Sequence, residues 1–291
     1  MTDRPRATGD PGPAASSAGP PPPLSSGRHP SQTSATSPEN WNPAPPPECA
    51  EAAQAIFAKQ LPVAEAYARL LVTEGVVRGL IGPREAPRVW ERHLLNCGVI
   101  SSLISTGASI VDVGSGAGLP GIVLAVARPD LRITLVEPLA RRTAFLSEAV
   151  AALGLDSTVT VVRGRAEDLG GGHHPAADVV TARAVAPLDR LAAWCLPLAA
   201  VGGRLLAVKG AAAATEVAEH RDAILRLGGS DPTIRLCGVG MIEPPATVVE
   251  VVRQRVVVTP RPRPSGRTAG SGRRAGASGG RGSERGRTRR G

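Results

Sequence analysis

The sequence predicts an α/β fold with a mostly parallel sheet, a final antiparallel hairpin and an amino-terminal helical extension. From residue 110 onward, short β-branched runs alternate with longer segments of helical periodicity, which is typical of parallel strands joined by crossover helices. The last two β-branched runs are separated only by a proline-containing turn, which is too short for a crossover. The chain therefore should close its sheet with an antiparallel pair.

The individual elements follow from this pattern. Strands are predicted at Ser109–Val113, Arg132–Glu137, Thr158–Arg163, Ala177–Thr181, Gly203–Val208, Thr233–Val239 and Thr247–Thr259. Helices between them are predicted near Gly121–Ala127, Ala140–Leu153, Pro187–Leu196 and Ala212–Leu227. Upstream, apolar residues recur three and four apart from Cys49, which predicts two or three amphipathic helices, broken at Gly82-Pro83 and resumed after Pro87.

The most informative segment joins the first strand to the first helix of the sheet. From Val111 to Gly121 it runs VDVGSGAGLPG, with glycines at positions 114, 116 and 118. Glycine permits positive φ and lets a ligand approach where a Cβ would collide, and the helix that follows points its amino end at the same place. The segment predicts the turn of a nucleotide-type cofactor site, with a purely structural turn as the alternative.

The residues around this turn favour S-adenosyl-L-methionine over a dinucleotide. Gly116–Gly121 also matches the dinucleotide fingerprint, but Asp112 at the end of the first strand would repel a pyrophosphate. The cationic methionyl end of the other cofactor tolerates or favours such a carboxylate. Glu137 ends the second strand and is predicted to bind ribose hydroxyls. The final hairpin favours the same choice, because it is typical of Rossmann-like methyltransferases.

The ends of the remaining strands hold further candidates, because ligands of such sheets bind at the carboxyl ends of the strands. The third strand leads to Ala166 and Glu167, whose backbone is predicted to meet an adenine edge; a helix cap by Glu167 and Asp168 is the alternative. Arg183 follows the fourth strand and Lys209 ends the fifth. For Lys209, a solvated strand end is favoured over contact with substrate.

The two ends of the chain differ in composition from its middle. Residues 1–47, rich in Pro, Ser, Gly and Ala, predict a disordered head, and residues 260–291 predict a disordered Arg/Gly-rich tail. From Arg261 the tail holds ten arginines and one acid, so its net charge of +9 equals that of the whole chain. The tail either adds affinity for phosphate backbones or is an inert solvated segment. Residues 48–259 form the predicted domain, with a helical extension over 48–105 and a Rossmann-like core over 106–259.

Several classes of function are disfavoured by the composition. The four cysteines are dispersed and form no C-x-x-C pair, so neither a metal site nor a redox site is predicted, and a reducing cytoplasm is expected. The chain has no secretory signal pattern and no apolar run of the roughly 18 residues that span a bilayer. We expect a cytoplasmic monomer without a membrane partner.

Six segments, in this order and spacing, carry a family resemblance: GLIGPRE at 79–85, WERHLL at 90–95, the turn at 112–121, RRTAFL at 141–146, GRAE at 164–167 and ARAVAPL at 182–188. Together they resemble the RsmG family, also called GidB or glucose-inhibited division protein B. Its members are methyltransferases of small-subunit ribosomal RNA. The resemblance spans about residues 50–258, and the head and the tail lie outside it.

The resemblance implies a Rossmann-like class I methyltransferase fold and methylation of guanine N7 in the 530 loop of 16S rRNA, with S-adenosyl-L-methionine as donor. The positions that match the family's cofactor contacts are Gly114, Leu119, Ala166, Glu167 and Arg183. The residues themselves add Gly116 and Glu137 to this set. No side chain is assigned as a general acid or base, because guanine N7 has no proton to lose; Arg183 is given a positioning role, on the cofactor carboxylate or an RNA phosphate.

The helical segment with Arg92 and His93 resembles a family motif that we place on the RNA side, and a buried, hydrogen-bonded role is the alternative for His93. Asn96 and Cys97 stand where many family members have Asp and Ser. The other histidines are expected at the surface: His173 and His174 in a glycine-rich loop, and His220 on a helix. Two other functions stay open, a methyltransferase for a small molecule or protein and a non-catalytic RNA-binding protein.

Overall fold

The computed structural model describes residues 41–169, 176–183 and 185–257. Its centre is a sheet of seven strands: β1 Ser109–Val113, β2 Arg132–Glu137, β3 Val159–Arg163, β4 Ala177–Arg183, β5 Ala199–Lys209, β6 Thr233–Cys237 and β7 Ala246–Val252. Their order in the sheet is β3-β2-β1-β4-β5-β7-β6, and β7 runs antiparallel to both of its neighbours. The predicted parallel sheet with a final antiparallel hairpin is confirmed.

Helices cover both faces of this sheet. The amino-terminal extension supplies α1 Pro47–Phe57, α2 Leu61–Leu70 and the single turn α3 Asn96–Gly98; the crossovers supply α4 Gly121–Ala127, α5 Ala140–Ala152, α6 Ala166–Leu169, α7 Leu188–Cys195 and α8 Ala213–Arg226. Wider π-helical turns at Leu71–Gly75 and Trp90–Leu95 extend α2 and precede α3.

Two apolar cores lie on opposite faces of the sheet, because neighbouring strand residues point to opposite sides. Ile110 of β1 packs into the core under the amino-terminal extension, α4 and α5. Val111 and Val113 pack into the other core, with α7 and part of α8. The sheet therefore holds the extension and the crossover helices in fixed positions around the carboxyl ends of its strands.

The folded part begins before the predicted boundary at residue 48. Trp41 packs against the first core, and the Trp90 indole N–H donates to the carbonyl oxygen of Pro43 at 2.9 Å. Trp41, which lies in the predicted head, therefore packs against the folded part of the chain. Residues 1–40 and the tail from residue 258 lie outside the described residues, so the prediction of disorder there stays a prediction.

Some strand limits differ from the predicted ones for local reasons. β4 continues two residues past Thr181 because Arg183 still pairs with Val208 of β5. β7 ends at Val252; Arg253 still exchanges backbone hydrogen bonds with Gly202 and Gly203 of β5, but the positive φ of Gly202 interrupts the regular pairing there. β6 ends at Cys237 because Gly238 has a φ of 76°. The first of these differences matters for the site, since it places Arg183 in the strand itself, at the carboxyl end of β4.

Within the described ranges, we find no helix long and apolar enough to cross a bilayer. The same residues contain no group of three or more His, Cys, Asp or Glu side chains arranged to hold a metal ion.

Candidate functional site

The predicted glycine turn lies at the carboxyl end of β1. Gly114, Gly116 and Gly118 have φ values of 69°, 58° and 95°. The amides of Gly114 and Ser115 donate to the carbonyl of Val136 on β2 at 2.9 and 3.2 Å. The turn is therefore tied by its backbone to the neighbouring strand and leads directly into α4.

Glu137 stands beside this turn at the end of β2. Its carboxylate is 1% exposed and accepts hydrogen bonds from the amides of Gly116 at 3.0 Å and Leu139 at 3.1 Å. The Arg142 guanidinium lies 3.8 Å from the same carboxylate. Two backbone donors and a nearby cation hold the carboxylate in a fixed orientation against the turn.

Asp112 does not face the site, so its carboxylate does not distinguish the two cofactors by direct contact as the sequence suggested. Its side chain is fully buried and accepts from the Gly121 amide at 3.1 Å and from the Thr181 hydroxyl at 2.9 Å. Burial is the main cause that raises the pKa of this carboxyl to about 6. Asp112 instead joins β1 to β4 and to the first turn of α4, beneath the glycines.

Tyr67 of α2 is a contact of the turn that the sequence analysis missed. Its hydroxyl donates to the carbonyl of Ala117 at 2.7 Å, and the side chain is 1% exposed. Burial raises the pKa of Tyr67 well above its ordinary value, so the phenol stays a donor. The available signal was weak: it is the single tyrosine of the chain and sits on the apolar face of a predicted helix.

The segment after β3 lies next to Glu137, since the Gly164 amide donates to the Glu137 carbonyl at 3.2 Å. Ala166 is buried in the first turn of the short helix α6, while Glu167 and Asp168 are exposed. Among the described residues, neither carboxylate accepts a hydrogen bond, so the alternative of a helix cap gains no support. Leu119 is buried at the end of the turn, before α4.

Arg183 reaches across to the amino-terminal extension. Its guanidinium donates to the carbonyl of Arg92 at 3.2 Å and bonds Nδ1 of His93 at 2.9 Å. His93 is 5% exposed, and Nε2 of its ring lies 3.4 Å from Glu85. Burial, followed by the charge of Arg183, lowers the pKa of His93 to about 4, so the imidazole is neutral near pH 7.

Lys209 is not a solvated strand end, and that interpretation is wrong. Its side chain is 8% exposed, and its ammonium donates to the Ala186 carbonyl at 2.9 Å and to Glu216 of α8 at 2.7 Å. Glu216 also accepts from the Leu188 amide at 3.1 Å. The pair fixes the loop after β4 to α8, which is a structural role that a strand-end pattern does not reveal.

A cleft of about 1700 Å³ opens beside Arg183. The segment 85–96 forms one wall and the loop 240–244 lies on another side, and carboxylates as well as guanidinium groups line it. Val185 links the cleft to the glycine turn, because it lines the cleft and a Cβ on Gly114 would come within 2.9 Å of its methyl carbon. The turn and the cleft are thus adjacent parts of one site.

Comparison with known proteins identifies the family of this chain. The model of the family described as rRNA small subunit methyltransferase G matches residues 60–241. The chain belongs to this family. The ribosomal RNA small subunit methyltransferase G of Salinispora tropica is 64% identical over 230 residues, covering 78% of this chain and 95% of that protein. That of Rhodococcus jostii is 56% identical over 207 residues, covering 69% and 88%.

Among solved structures, the mitomycin 7-O-methyltransferase MmcR is similar with a TM-score of 0.47 and 19% identity, covering 72% of this chain and 69% of that one. The resemblance stated from the sequence motifs is confirmed by the family match. The matched range contains the glycine turn, the segment with His93, and Arg183 and Lys209 at the ends of β4 and β5. The head, the tail, α1 and β7 lie outside it.

Of the remaining candidate residues, three lie within the described residues and two lie outside them. Asn96 lines the cleft, and Cys97 behind it is fully buried. His220 also lines the cleft, with its ring 3.9 Å from Asp189. It is half-buried there, where a surface position was expected. His173 and His174 lie outside the described residues.

Proposed function

We propose that this chain transfers a methyl group from S-adenosyl-L-methionine to N7 of one guanine in the 530 loop of 16S rRNA. Membership of the rRNA small subunit methyltransferase G family makes it a methyltransferase of small-subunit ribosomal RNA. The observation that carries the finer proposal is the adjacency of the glycine turn, with Glu137 beside it, to a cleft lined by Arg183, whose guanidinium is held by His93 and Arg92.

The residues present fit the cofactor. A Cβ on Gly116 would meet only a carbonyl oxygen at 3.8 Å, so the turn is open on that side. The Glu137 carboxylate is buried against the turn, but each of its oxygens accepts one amide bond and keeps a lone pair that suits a ribose hydroxyl. The backbone at Ala166 and Glu167, next to Glu137, suits an adenine edge. Gly114 and Leu119 complete the turn, and Arg183 suits the cofactor's carboxylate or an RNA phosphate through its planar fork. When bound, this cofactor supplies an electrophilic methyl carbon on a sulfonium.

The chemistry requires alignment from this chain rather than a base. Guanine N7 offers an in-plane lone pair and loses no proton, so the chain must hold the base in line with the methyl carbon. The described part of the site agrees, since its buried imidazole, His93, uses Nδ1 to accept from Arg183. We propose that the enzyme acts as a cytoplasmic monomer and needs no metal for this step.

The test is transfer of a labelled methyl group from S-adenosyl-L-methionine to small ribosomal subunits from cells that lack this protein, followed by mapping of the modified base. Subunits from cells that contain the protein are the matched control, because their target N7 is already methylated and should accept no label. Label on a single guanine N7 of the 530 loop is expected. Label on another base, or on metabolites alone, would overturn the proposal; naked 16S rRNA in parallel shows which form is the substrate.

A further inference from the structure

We propose that His93 is a positioning residue, which holds the Arg183 guanidinium at the wall of the cleft through Nδ1 and is itself backed by Glu85. The proposal rests on the proposed function, since Arg183 acts there on the cofactor or on RNA. It assigns a role in the transfer site to the amino-terminal extension, whose segment 85–93 lies 90 or more positions before Arg183 in the sequence.

The direction of the hydrogen bonds fixes the tautomer of His93. A guanidinium can only donate, so Nδ1, at 2.9 Å from Arg183, must be the acceptor and the proton must sit on Nε2. Nε2 is buried without a hydrogen-bond partner among the described residues, and the Glu85 carboxylate lies 3.4 Å away without being aligned for a hydrogen bond. Glu85 therefore places a negative charge behind the ring, while the hydrogen bond through Nδ1 is the contact by which His93 orients Arg183.

A second contact from the same segment strengthens the hold. Arg183 also donates to the backbone carbonyl of Arg92 at 3.2 Å. These two bonds use two of the five N–H donors of the guanidinium, and the fork is planar, so its remaining donors have a defined direction. Since Arg183 lines the cleft, a ligand there meets a cation that is already oriented.

The charge state of His93 agrees with this role. Burial and the neighbouring Arg183 and Arg92 lower its pKa, and Glu85 raises it by less, which leaves it at about 4. An imidazolium has no lone pair for Arg183, so the contact needs the neutral ring. The competing role, direct contact of His93 with RNA, requires an accessible side chain, whereas this one borders the cleft but is only 5% exposed.

Three substitutions of His93 separate these roles. His93→Asn keeps an acceptor oxygen at the position of Nδ1, His93→Gln moves the amide to the position of Nε2, and His93→Phe removes both. We expect His93→Phe and His93→Gln to lower kcat/KM for small subunits by about 10- to 100-fold, the range of a hydrogen bond to a charged group. His93→Asn should recover most of this loss. Unfolding curves and calorimetric cofactor binding show whether each variant is folded.

A double-mutant cycle with Arg183→Gln then tests whether His93 acts through Arg183. In the Arg183→Gln background, the His93→Asn and His93→Gln variants should differ in kcat/KM by less than about twofold. The proposal is wrong if these two variants differ by the same factor with and without Arg183. It is also wrong if the two variants have equally low kcat/KM when Arg183 is present. The Asn and Gln pair carries the test even where His93→Phe fails to fold.

These outcomes are distinct from failure of the proposed function. If the wild-type chain methylates no guanine N7 in the small subunit, the proposed function fails. If it does so and the cycle shows independent effects, only the positioning role fails.

Discussion

The glycine turn and the cleft wall are adjacent, yet they are held by different kinds of contact. The turn is held mainly through its backbone, by the Val136 carbonyl and the buried carboxylate of Glu137 about twenty residues away. The cleft wall is held by contacts of the Arg183 side chain with residues 90 or more positions earlier in the chain, His93 and Arg92. Backbone conformation therefore determines the first region, and long-range side-chain geometry determines the second.

The largest effect should come from the turn, where Gly118 leaves no room for a side chain. Its φ is 95°, and a Cβ would lie 2.5 Å from Ile122 and 3.0 Å from the Tyr67 hydroxyl, both of them fully packed. Gly118→Ala should lower the free energy of unfolding by about 4 kcal/mol, from backbone strain and overpacking together. Urea unfolding measures this loss.

Gly116→Ala is the matched control, because its φ of 58° carries a similar backbone penalty while an added Cβ meets only an oxygen at 3.8 Å. It should cost about 1 kcal/mol. Equal losses for the two variants would show that packing against α2 and α4 contributes nothing at this turn.

The next effect concerns the cleft wall and depends on pH. The folded-state pKa of His93 is about 4, below the ordinary value of 6.5. Between these values the unfolded chain binds a proton that the folded chain does not, so stability is lost as pH falls from 6.5 to 4. The shift corresponds to about 3 kcal/mol of unfolding free energy. His93→Asn should remove this loss.

The measurement is the difference between the wild-type and His93→Asn stability curves over this pH range. The difference is needed because Asp112, whose pKa is raised to about 6, contributes in the opposite direction: its buried carboxylate destabilises the fold above pH 6 and this cost disappears as pH falls. Parallel curves for the two proteins would mean that His93 has the same pKa in the folded and the unfolded chain, so that below this pKa its ring is protonated and accepts nothing from Arg183.

The same contrast explains what the sequence could predict. The limits of β1, β2 and α4 were predicted to the residue, because strand periodicity and glycine turns are local signals. Asp112 and Lys209 were misinterpreted because a charged residue at a strand end suggests a ligand or solvent. Each instead has a partner on a distant element, Thr181 for Asp112 and Glu216 for Lys209. Tyr67 was missed for the same reason, since only packing of α2 on the turn reveals its acceptor.

A smaller effect is expected where the extension contacts the turn. Tyr67→Phe removes the buried hydroxyl and leaves the Ala117 carbonyl without this donor, so the free energy of unfolding should fall by about 1 to 2 kcal/mol. Cofactor affinity, measured by calorimetry, should fall with it if the bond holds the turn in its binding conformation.

Thr73→Val is the control, because Thr73 also donates from a hydroxyl to a backbone carbonyl, that of Arg69 at 2.9 Å, but in an exposed setting. Its effect should be below about 0.5 kcal/mol. If both variants lose the same stability, burial does not distinguish the two bonds, and Tyr67 has no special role at the turn.

The smallest effect on stability is expected for Arg92, the neighbour of His93 in the cleft wall. The contrast between these two residues concerns RNA binding. Its side chain is 51% exposed, and the Glu85 carboxylate lies 3.9 Å away. Arg92→Gln keeps the backbone carbonyl that Arg183 uses, so unfolding should change by less than about 0.5 kcal/mol. Binding to 16S rRNA should nevertheless weaken, with a logarithmic salt slope smaller by about one.

Arg221→Gln on α8 is the control for Arg92, with a side chain 49% exposed, paired with Asp231 and absent from the cleft lining. It should leave the salt slope of RNA binding unchanged. If both variants reduce the slope equally, the charge of Arg92 acts only through the overall field of the protein. If neither does, the extension holds Arg183 but meets no phosphate. The expected result, a slope that falls for Arg92 alone, assigns two consecutive residues to opposite sides of one wall, Arg92 to the RNA and His93 to Arg183.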